Sequence, residues 1–560
     1  MTTMNESYPE GPFCRAALKA LDVSVSTNPQ QLARIPTVGP TIAVCNHPFG
    51  AIEGIALLDL LSGRRDDVKM VANSVLRVFP DLADHCFFVN PFDTPASLKE
   101  NIAAVRAALA HVKSGGMLVL FPAGEVSHFS FQTRRITDPL WRDTAAKIAK
   151  QAGATVIPLY INGRNTLRFQ IAGLFHPMLR TAMLPSELFN KRGKTLNLEI
   201  GTAISRRKVS EFESSKKLCE YLRTRTYALE ARAHLSEKQP SEAAHQDPII
   251  PPIAPEKLLR DIDGLPESTC LVKHKQMAVF LVEYDQAPAA MMEIGRLREE
   301  TFRGVGEGTG KSFDLDAYDR YYRHLILWDH ASSRIAGAYR LGAADQIVGR
   351  FGFKGLYTNS LFRFSSKTKK MLSNALELGR SFVISEYQRK PLSLALLWKG
   401  IGRYIQANPR HRILFGPVTI SAAYNEASMA IITKYFERRL ADRTGRLIRP
   451  KTPVRTKRFI KWDMESVMRG LYSDDDLSTI IRDLEDDAKG LPILVRQYLN
   501  LHGKILAFNL DKDFSDGVDG LVVVDLLDTP KEILRRFMGA EGADRFFSFH
   551  GAGHAIQIAS

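Results

Sequence analysis

Residues 46–54 read Asn-His-Pro-Phe-Gly-Ala-Ile-Glu-Gly and follow an apolar run at 41–45, Thr-Ile-Ala-Val-Cys, that is typical of a buried strand. Pro48 and Gly50 favour a turn after the strand, and the apolar residues that follow predict a packed helix. Glu53 then lies in the first turns of that helix, from where it can fold back towards His47. A carboxylate that holds one imidazole nitrogen leaves the other as a general base for a hydroxyl. The same residues also fit an ordinary loop histidine beside a solvated glutamate.

The composition is that of a multidomain globular protein. The chain has 560 residues, of which 45% are apolar, which is enough for two to four domains and excludes global disorder. Its five cysteines form no CxxC pair and no metal-ligand spacing, so we expect reduced thiols, a cytosolic compartment and no metal site. Residues 1–12 show no signal pattern, and no apolar run reaches the length of a spanning helix.

The chain is strongly basic, with a formal net charge of +15 and a pI near 9.5. Such a charge favours an anionic partner, which can be a nucleic acid, an anionic bilayer or an acidic protein. The sequence has no zinc-finger spacing and no aromatic RNA-binding signature. We therefore expect no nucleic-acid partner.

Composition divides the chain at residues 233–262, which are polar and rich in proline and predict a linker. This leaves residues 1–232 and 263–560. In the first part, apolar runs alternate with amphipathic helices, which predicts an α/β layer fold with chemistry in the loops beyond the strand ends. The predicted strands are 41–45, 86–89, 117–121 and 155–161, and the helix between the middle two has Ser97 and Glu100 as a possible capping box.

Four blocks follow one another in the first part. They are 46–54, 87–93 (Phe-Phe-Val-Asn-Pro-Phe-Asp), 121–127 (Phe-Pro-Ala-Gly-Glu-Val-Ser) and 156–163 (Val-Ile-Pro-Leu-Tyr-Ile-Asn-Gly). Their order and spacing resemble the glycerolipid acyltransferases of the lysophosphatidic-acid type. The resemblance implies that His47 is the catalytic base and Glu53 its orienting acid. It further implies substrate contacts from Asn46, Asn90, Phe121, Pro122, Gly124 and Glu125.

The departures from that family are informative. The gap between His47 and its carboxylate is one residue longer, and the carboxylate is a glutamate. Asn90 stands where the family has an arginine, and residues 121–127 lack the family's glutamate and arginine. Arginine suits bidentate phosphate recognition, so its loss at both places predicts an acceptor without glycerol phosphate. Arg134 and Arg135 either compensate for this loss or form a solvated basic surface.

A second set of landmarks occupies residues 275–435. It consists of Arg298 and Phe302, the paired acids Asp316 and Asp319, the strand residue Arg340, and the pair Glu377 and Arg380. Their order resembles N-acyltransferases of the Gcn5-related (GNAT) superfamily that use acyl-carrier-protein thioesters, above all the ornithine-lipid N-acyltransferases. The resemblance implies a GNAT-like α/β domain, a mixed sheet flanked by helices.

Chemistry gives these residues two possible roles. An amine acceptor loses a proton as it attacks a thioester, and its charged groups need oriented partners such as Asp316, Asp319, Arg298 and Arg340. Glu377 is a further catalytic candidate, or it forms a buried pair with Arg380. Structural salt bridges explain such charges equally well. The glycine-rich residues 304–311 lack P-loop spacing and predict a mobile loop over the acyl-donor site.

Together the two resemblances imply a bifunctional acyltransferase of ornithine-type lipid synthesis. The second part would N-acylate an amino acid with a hydroxyacyl group, and the first would O-acylate the resulting lyso-lipid. The implied co-substrate is acyl carrier protein or coenzyme A thioester, with no cofactor and no metal. The basic charge favours acyl carrier protein as a partner and peripheral contact with the inner face of the cytoplasmic membrane. Two alternatives remain open, a lysophospholipid acyltransferase with an accessory domain and a non-catalytic lipid-binding protein.

Overall fold

The structure is a computed structural model that describes residues 13–90, 95–132, 134–234, 246–440, 447–454, 464–511 and 517–551. The chain forms two compact units. The first unit comprises residues 1–236 and 460–490, and the second comprises residues 237–459 and 491–560. No helix in the described ranges is long and apolar enough to cross a membrane.

The first unit combines strands with helices in the order that the α/β prediction requires. Its strands are β1 (Ser24–Ser26), β2 (Thr41–Cys45), β3 (Val68–Asn73), β4 (Cys86–Val89), β5 (Met117–Leu120), β6 (His128–Ser130), β7 (Arg135–Thr137), β8 (Thr155–Ile161) and β9 (Thr195–Ile200). Its helices up to the end of the first segment are α1 (Phe13–Ala20), α2 (Pro29–Leu32), α3 (Ile52–Ser62), α4 (Pro95–Lys113), α5 (Thr144–Ala152), α6 (Leu167–Phe175), α7 (Pro177–Ala182), α8 (Leu184–Phe189), α9 (Arg206–Glu211) and α10 (Ser215–Ala228).

The main sheet of the first unit has the strand order β1-β9-β8-β2-β5-β3-β4. Strands β8, β2, β5, β3 and β4 are parallel, so their carboxyl ends meet at one edge. Strand β2 lies between β5 and β8, and all five of its residues are buried. Ala43 and Cys45 face one core while Ile42 and Val44 face the other, as expected for a strand covered by helices on both sides.

The four predicted strands of this unit are present, and helix α3 follows the opening turn. The predicted capping box at Ser97 and Glu100 is wrong, because α4 begins at Pro95 and Ser97 already lies in its first turn. Proline favours the first helical position because its missing N–H has no intrahelical acceptor there.

The second unit is also mixed α/β. Its strands are β10 (Cys270–His274), β11 (Met277–Glu283), β12 (Arg323–Asp329), β13 (Arg334–Ala343), β14 (Phe362–Phe364), β15 (Ala375–Val383), β16 (Ile413–Ile420), β17 (Ile448–Pro450), β18 (Lys504–Asp511) and β19 (Gly517–Asp525). The remaining helices of the chain are α11 (Pro255–Asp263), α12 (Pro288–Arg303), α13 (Ala344–Phe351), α14 (Thr358–Leu361), α15 (Lys369–Leu372), α16 (Ser385–Gln388), α17 (Pro391–Ala407), α18 (Glu426–Leu440), α19 (Met464–Arg469), α20 (Asp474–Leu484), α21 (Ile493–Asn500), α22 (Lys531–Met538) and α23 (Ala540–Phe549). Of these, α19 and α20 belong to the first unit.

The main sheet of the second unit has the order β10-β11-β12-β13-β15-β16-β19-β18. Its strand pairs are antiparallel except for β15 and β16, which are parallel. These two strands pair only over Ala375–Glu377 and Ile413–Phe415, although both continue for several residues. At Gly416 a Cβ atom would lie 1.9 Å from the Leu378 carbonyl oxygen, so only glycine fits there. Beyond that point the two strands no longer pair.

Residues 255–262, predicted as part of a linker, instead form most of α11. Leu258 and Ile262 are buried on one face of the helix, and the Asp261 carboxylate accepts the Ala290 backbone N–H at 2.9 Å. Pro255 begins this helix rather than breaking it. The predicted linker residues 235–245 lie outside the described residues.

Helices α19 and α20 lie in the second part of the sequence but pack in the first unit. The Asp483 carboxylate accepts Arg225 Nε at 2.9 Å and Nη2 at 2.6 Å, and the Thr202 N–H at 2.6 Å. Both side chains of the ion pair are at most 1% exposed. Both guanidinium nitrogens, Nε and Nη2, donate to Oδ2, and this buried pair joins segments 258 residues apart.

We expect Asp483→Ala to destabilise the first unit by about 3–5 kcal/mol, because it leaves the Arg225 charge buried without a partner. Urea unfolding followed by circular dichroism measures this loss. The matched control is Asp486→Ala, whose exposed pair with Arg232 contributes less than about 1 kcal/mol. Equal losses in the two variants would contradict the structural role of Asp483.

Candidate active sites

His47 is the second residue after the central strand β2, and Glu53 is the second residue of α3. The turn between them brings His47 Nδ1 to 2.9 Å from Glu53 Oε1. The His47 side chain is 16% exposed, whereas Glu53 is completely buried. Because Nδ1 is engaged, Nε2 is the ring nitrogen left to accept a proton. The sequence prediction that the two side chains pair is confirmed.

Glu53 is held by backbone donors as well as by His47. Its Oε1 accepts the N–H groups of Phe49 at 2.9 Å and Gly50 at 2.8 Å. Gly50 has a φ of +122°, which glycine adopts readily and other residues avoid. Burial alone would raise the pKa of Glu53, but the His47 charge and these hydrogen bonds hold it below its usual value. Glu53 is therefore an ionised carboxylate that orients the imidazole at neutral pH.

The loop after β5 lies against the imidazole. The Phe121 ring stacks on the His47 ring with centroids 4.4 Å apart and 26° between the planes. The Ser127 N–H donates to the His47 carbonyl at 2.7 Å. Residues 121–127 and the opening turn thus form one site, as their positions beyond neighbouring parallel strands imply.

Asp138 is a buried residue of this site that the sequence motifs do not reveal. Its Oδ1 accepts the His47 backbone N–H at 3.1 Å and the Ser127 hydroxyl, and its Oδ2 accepts Trp141 Nε1 at 2.9 Å. The Asp138 N–H donates to the Tyr227 hydroxyl at 2.9 Å. Asp138 therefore fastens the histidine turn to the neighbouring loop and to α10. It lies 91 residues from His47, so no local spacing could identify it.

Asn46 and Asn90, two of the predicted substrate-contact residues, form hydrogen bonds to other parts of the protein. The Asn46 side chain accepts the Ile161 N–H at 2.8 Å and donates to the Ile161 carbonyl at 2.9 Å, so it clamps β2 to β8. Asn90 follows the edge strand β4, three strand positions from β2, or about 14 Å away at the usual strand spacing. Its backbone pairs with the Asn101 side chain. Residues 91–93 of its block lie outside the described residues.

The loop of Gly124 and Glu125 meets arginines from elsewhere in the chain. Arg180 Nη2 on α7 lies 3.0 Å from Glu125 Oε2. Arg142 Nε lies 3.7 Å from where a Cβ on Gly124 would stand, and the Pro122 carbonyl accepts the Arg142 N–H at 2.9 Å. The tertiary structure thus brings two guanidinium groups to a loop that lacks arginine. Their distance along the chain concealed them from motif comparison.

In the second unit, the predicted acids and arginines form a buried network. Asp319 Oδ1 lies 2.9 Å from Arg298 Nη1 and 3.2 Å from Arg340 Nη1, which also lies 2.7 Å from Asp316 Oδ1. Burial raises the pKa of Asp319, but the two arginines outweigh it and hold the pKa well below its usual value. The rings of Tyr318, Tyr322 and Tyr357 lie 5.0–5.7 Å from the Arg340 guanidinium. Asp316 is the most accessible member, with 25% of its side chain exposed.

Glu377 and Arg380 do not pair with each other. Glu377 accepts the Thr358 N–H at 2.6 Å together with the hydroxyls of Thr358 and Tyr322, whereas Arg380 Nη1 lies 3.5 Å from Asp314 Oδ2. Burial raises the pKa of Glu377. Arg380 has a φ of +46° at a position where the register between β13 and β15 is irregular. This irregularity turns the two side chains towards different partners, and both Glu377 oxygens are engaged within the protein.

The glycine-rich segment 304–311 is held to helix α12 by hydrogen bonds. The buried Glu299 carboxylate accepts the Thr309 N–H at 3.0 Å, the Gly310 N–H at 2.9 Å and Arg303 Nε at 2.7 Å. Phe302 lies in the last turn of α12, and its carbonyl accepts the Glu307 N–H at 2.7 Å. These contacts contradict the prediction of a mobile loop.

Comparison with known proteins finds an acyltransferase family in each part of the chain. A family model described as Acyltransferase matches residues 1–235, and one described as Acetyltransferase (GNAT) domain matches residues 297–399. The glycine N(alpha)-acyltransferase of Bacteroides thetaiotaomicron is 31% identical over 255 residues, which cover 42% of this chain and 74% of that protein.

Two relatives from Phocaeicola vulgatus extend the comparison. Its glycine N(alpha)-acyltransferase is 30% identical over 254 residues, 43% of this chain and 76% of that protein. Its lyso-glycine lipid O-acyltransferase is 26% identical over 232 residues, 39% of this chain and 77% of that protein. The chain belongs to the acyltransferases. It has an N-terminal acyltransferase domain and a C-terminal GNAT domain, and both families use acyl thioester substrates without a cofactor.

The second unit of this acyltransferase also contains an acidic group that no sequence motif indicates. Asp519 on β19 accepts the Thr419 hydroxyl at 2.7 Å. Burial, together with the nearby charges of Asp511 and Glu307, raises the pKa of Asp519 to about 7. Burial likewise raises the pKa of Glu307 to about 7. These carboxyls therefore retain protons that exposed carboxyls release well below neutrality.

We expect Asp519→Asn to stabilise the acyltransferase at about pH 8 by roughly 1–4 kcal/mol and to have little effect at about pH 4. Between its usual pKa of 3.8 and about 7, Asp519 keeps a proton in the folded state that the unfolded state releases, so stability falls as pH rises. Asparagine cannot ionise, so the variant does not lose this stability as the pH rises. Urea unfolding of the wild type and the variant at the two pH values measures the difference in the free energy of unfolding. The control is Asp528→Asn, at an exposed position. A gain that is equal at both pH values would contradict the linkage.

Proposed function

We propose that this acyltransferase makes an amino-acid-containing lipid in two steps. The GNAT domain N-acylates an amino acid with a hydroxyacyl group from acyl carrier protein, and the N-terminal domain then O-acylates the new hydroxyl. The observation that carries the proposal is the union of the two domains in one chain, each with its own site. Relatives named for an N-acyl step and for a lyso-lipid O-acyl step support it.

For the O-acyl step, the pairing of His47 with Glu53 supplies the base. His47 Nε2 takes the hydroxyl proton while the oxygen attacks the thioester carbonyl, because Nδ1 is held by Glu53. The carbon–sulfur bond then breaks, and the thiol leaves with the proton that His47 returns. Phe121 holds the imidazole plane by stacking.

For the N-acyl step, Arg298 and Arg340 are the proposed partners of the amino acid carboxylate. Among the described residues, Arg298 Nη2 and Arg340 Nη2 are buried without a hydrogen-bond partner. Buried donors require an acceptor, and a carboxylate pairs well with arginine. Asp316, the most accessible member of the network, is the proposed partner of the ammonium group. The catalytic role of Glu377 stays a prediction, since both its oxygens serve the fold.

The proposed head group is ornithine. Its side chain carries an ammonium group, and Glu125, whose side chain is half exposed beside the His47 site, offers a carboxylate to it. Arg180 and Arg142 lie beside the same loop and suit the head group's carboxylate. Glycine is the second candidate, favoured by the names of the relatives.

The net charge of +15 supports two proposed partners. Acyl carrier protein is acidic, so a basic surface attracts and steers it. The second partner is the anionic inner face of the cytoplasmic membrane. It presents the lipid substrate and attracts the positive charge of the protein.

We expect His47→Ala to lower O-acylation at least about a hundredfold and to accumulate the mono-acylated lipid, because the general base is lost. Arg298→Ala removes both products in cells but leaves O-acylation of supplied lyso-lipid intact. Mass spectrometry of lipids from a host without aminolipids, supplied with ornithine, measures the mono-acylated and the di-acylated lipid. The control is His85→Ala, an exposed histidine of the same domain.

Two results would overturn this division of labour. One is the absence of mono-acylated lipid in the His47 variant. The other is His47-dependent acylation of lysophosphatidic acid but not of lyso-aminolipid, which would indicate the lysophospholipid acyltransferase alternative.

We expect Glu125→Gln to raise the KM for lyso-ornithine lipid by about three- to fivefold and to leave that for lyso-glycine lipid unchanged. The substitution removes the carboxylate that would pair with the side-chain ammonium group of ornithine. Glycine has no such group, so its lyso-lipid should be unaffected. Initial rates with the two purified lyso-lipids measure the difference. Equal effects on both lipids would exclude head-group reading by Glu125, and exclusive use of lyso-glycine lipid by the wild type would favour glycine.

A further inference from the structure

The segment that contains α6, α7 and α8, residues 163–194, exposes large apolar side chains to an unusual degree. We name it the α6–α8 surface. Seven of its apolar side chains are 45–81% exposed: Leu167, Ile171, Leu174, Phe175, Met178, Leu179 and Phe189. Helix α6 buries only Phe169 and Gln170. Exposed apolar residues scattered singly need no explanation, but a concentration of this kind marks an interaction surface.

The neighbouring hairpin of β6 and β7 extends this surface. Its turn carries Phe131, which is 73% exposed. The Phe129 N–H donates to Gln170 Oε1 at 2.9 Å, so the hairpin is held against α6. The apolar region therefore includes a second structural element beside the helices.

The charges of the α6–α8 surface are almost all positive. Its basic residues are Arg164, Arg168, Arg180, Lys191, Arg192 and Lys194, against the single acid Glu187. Glu187 and Lys191 are both buried and lie 3.2 Å apart, so this pair adds no exposed charge. The exposed cations are Arg164, Arg168, Arg192 and Lys194. Cations beside exposed apolar helices are the pattern of a segment that lies in the interface of an anionic bilayer. An acidic protein would match the cations but not seven exposed apolar side chains.

Three contacts fasten the α6–α8 surface to the His47 site. Asn165 Nδ2 donates to the Phe49 carbonyl at 3.0 Å, and Arg180 pairs with Glu125. The Leu184 side chain lies 3.0 Å from where a Cβ on Gly50 would stand. A bilayer bound to this surface would therefore lie next to the turn that holds the base.

We propose that the α6–α8 surface, together with Phe131, docks the N-terminal domain on an anionic lipid bilayer. The apolar side chains of α6 and α7 enter the interface, and Arg164 and Arg168 meet the lipid phosphates. This deepens the proposed function, since it names the surface through which a lipid acceptor reaches His47. Vesicle binding without any acyl substrate tests it separately from the reaction.

The test is co-sedimentation of the full chain with vesicles of phosphatidylcholine alone and of phosphatidylcholine mixed with phosphatidylglycerol. We expect binding to the anionic vesicles that weakens as salt rises. The double variant Phe175→Ser, Met178→Ser should lower the partition coefficient about tenfold or more, and Arg164→Gln, Arg168→Gln should also lower it. Both pairs are exposed, so the fold should be retained, which circular dichroism checks.

The matched control for the apolar pair is Ile493→Ser, Phe549→Ser, two exposed apolar residues of the second unit. The control for the charges is Lys369→Gln, Lys370→Gln in the same unit. Both controls should bind vesicles as the wild type does. Unchanged binding by the Phe175 and Met178 variant, or an equal loss in its control, would overturn the proposal. It would also be overturned if the Arg164 and Arg168 variant lost only its capture of acyl carrier protein, which would make this a protein-docking surface.

Discussion

The first unit depends on a carboxylate that has no contact with solvent. Removing an ionised Glu53 from water costs several kcal/mol unless donors replace the lost hydration. The donors are His47 Nδ1 and the N–H groups of Phe49 and Gly50, all on one oxygen. This requirement dictates the positive φ of Gly50 and the position of α3. The hydrogen bond to Nδ1 also sets the direction of the His47 imidazole. The same turn therefore satisfies the buried Glu53 carboxylate and orients the histidine.

In the GNAT domain, buried arginines and aspartates neutralise one another. Arg298 and Arg340 share Asp319, and Asp316 adds a second negative charge, so the four side chains are together neutral. Such a network is a weak source of stability but a strong constraint on geometry, because removing one member leaves an unpaired charge. The three tyrosines around Arg340 further restrict its position. A substrate carboxylate that meets these arginines would enter a site already organised by the fold.

Local patterns predicted the elements well and the long-range contacts poorly. Strands β2, β4 and β8 begin and end where their apolar runs do, and Glu53 lies in the first turn of α3 as expected. The start of α4 was misplaced because Ser97 and Glu100 fit a capping box. Helix α11 was missed because its proline-rich surroundings predicted a linker, although proline favours the first helical position. Asp138 and Arg180 escaped notice because each reaches its site from another part of the chain. The assignment of α19 and α20 to the first unit rests on a pair 258 residues apart, which no periodicity encodes.

The sequence by itself predicted the strand, turn and helix that bring His47 and Glu53 together, and the resemblances of its blocks implied two α/β domains. The pairing of His47 with Glu53 follows from spacing within a few residues, where turn chemistry and helix periodicity act. Only the tertiary structure decided which partners the charged and polar residues have within the protein. In the folded chain, Asn46 joins β2 to β8 by hydrogen bonds, and Glu377 accepts hydrogen bonds from Thr358 and Tyr322. Folding also brings Arg142 and Arg180 next to the 121–127 loop, which has no arginine of its own. The reason is that burial and charge pairing depend on segments that meet only after the sheet has formed.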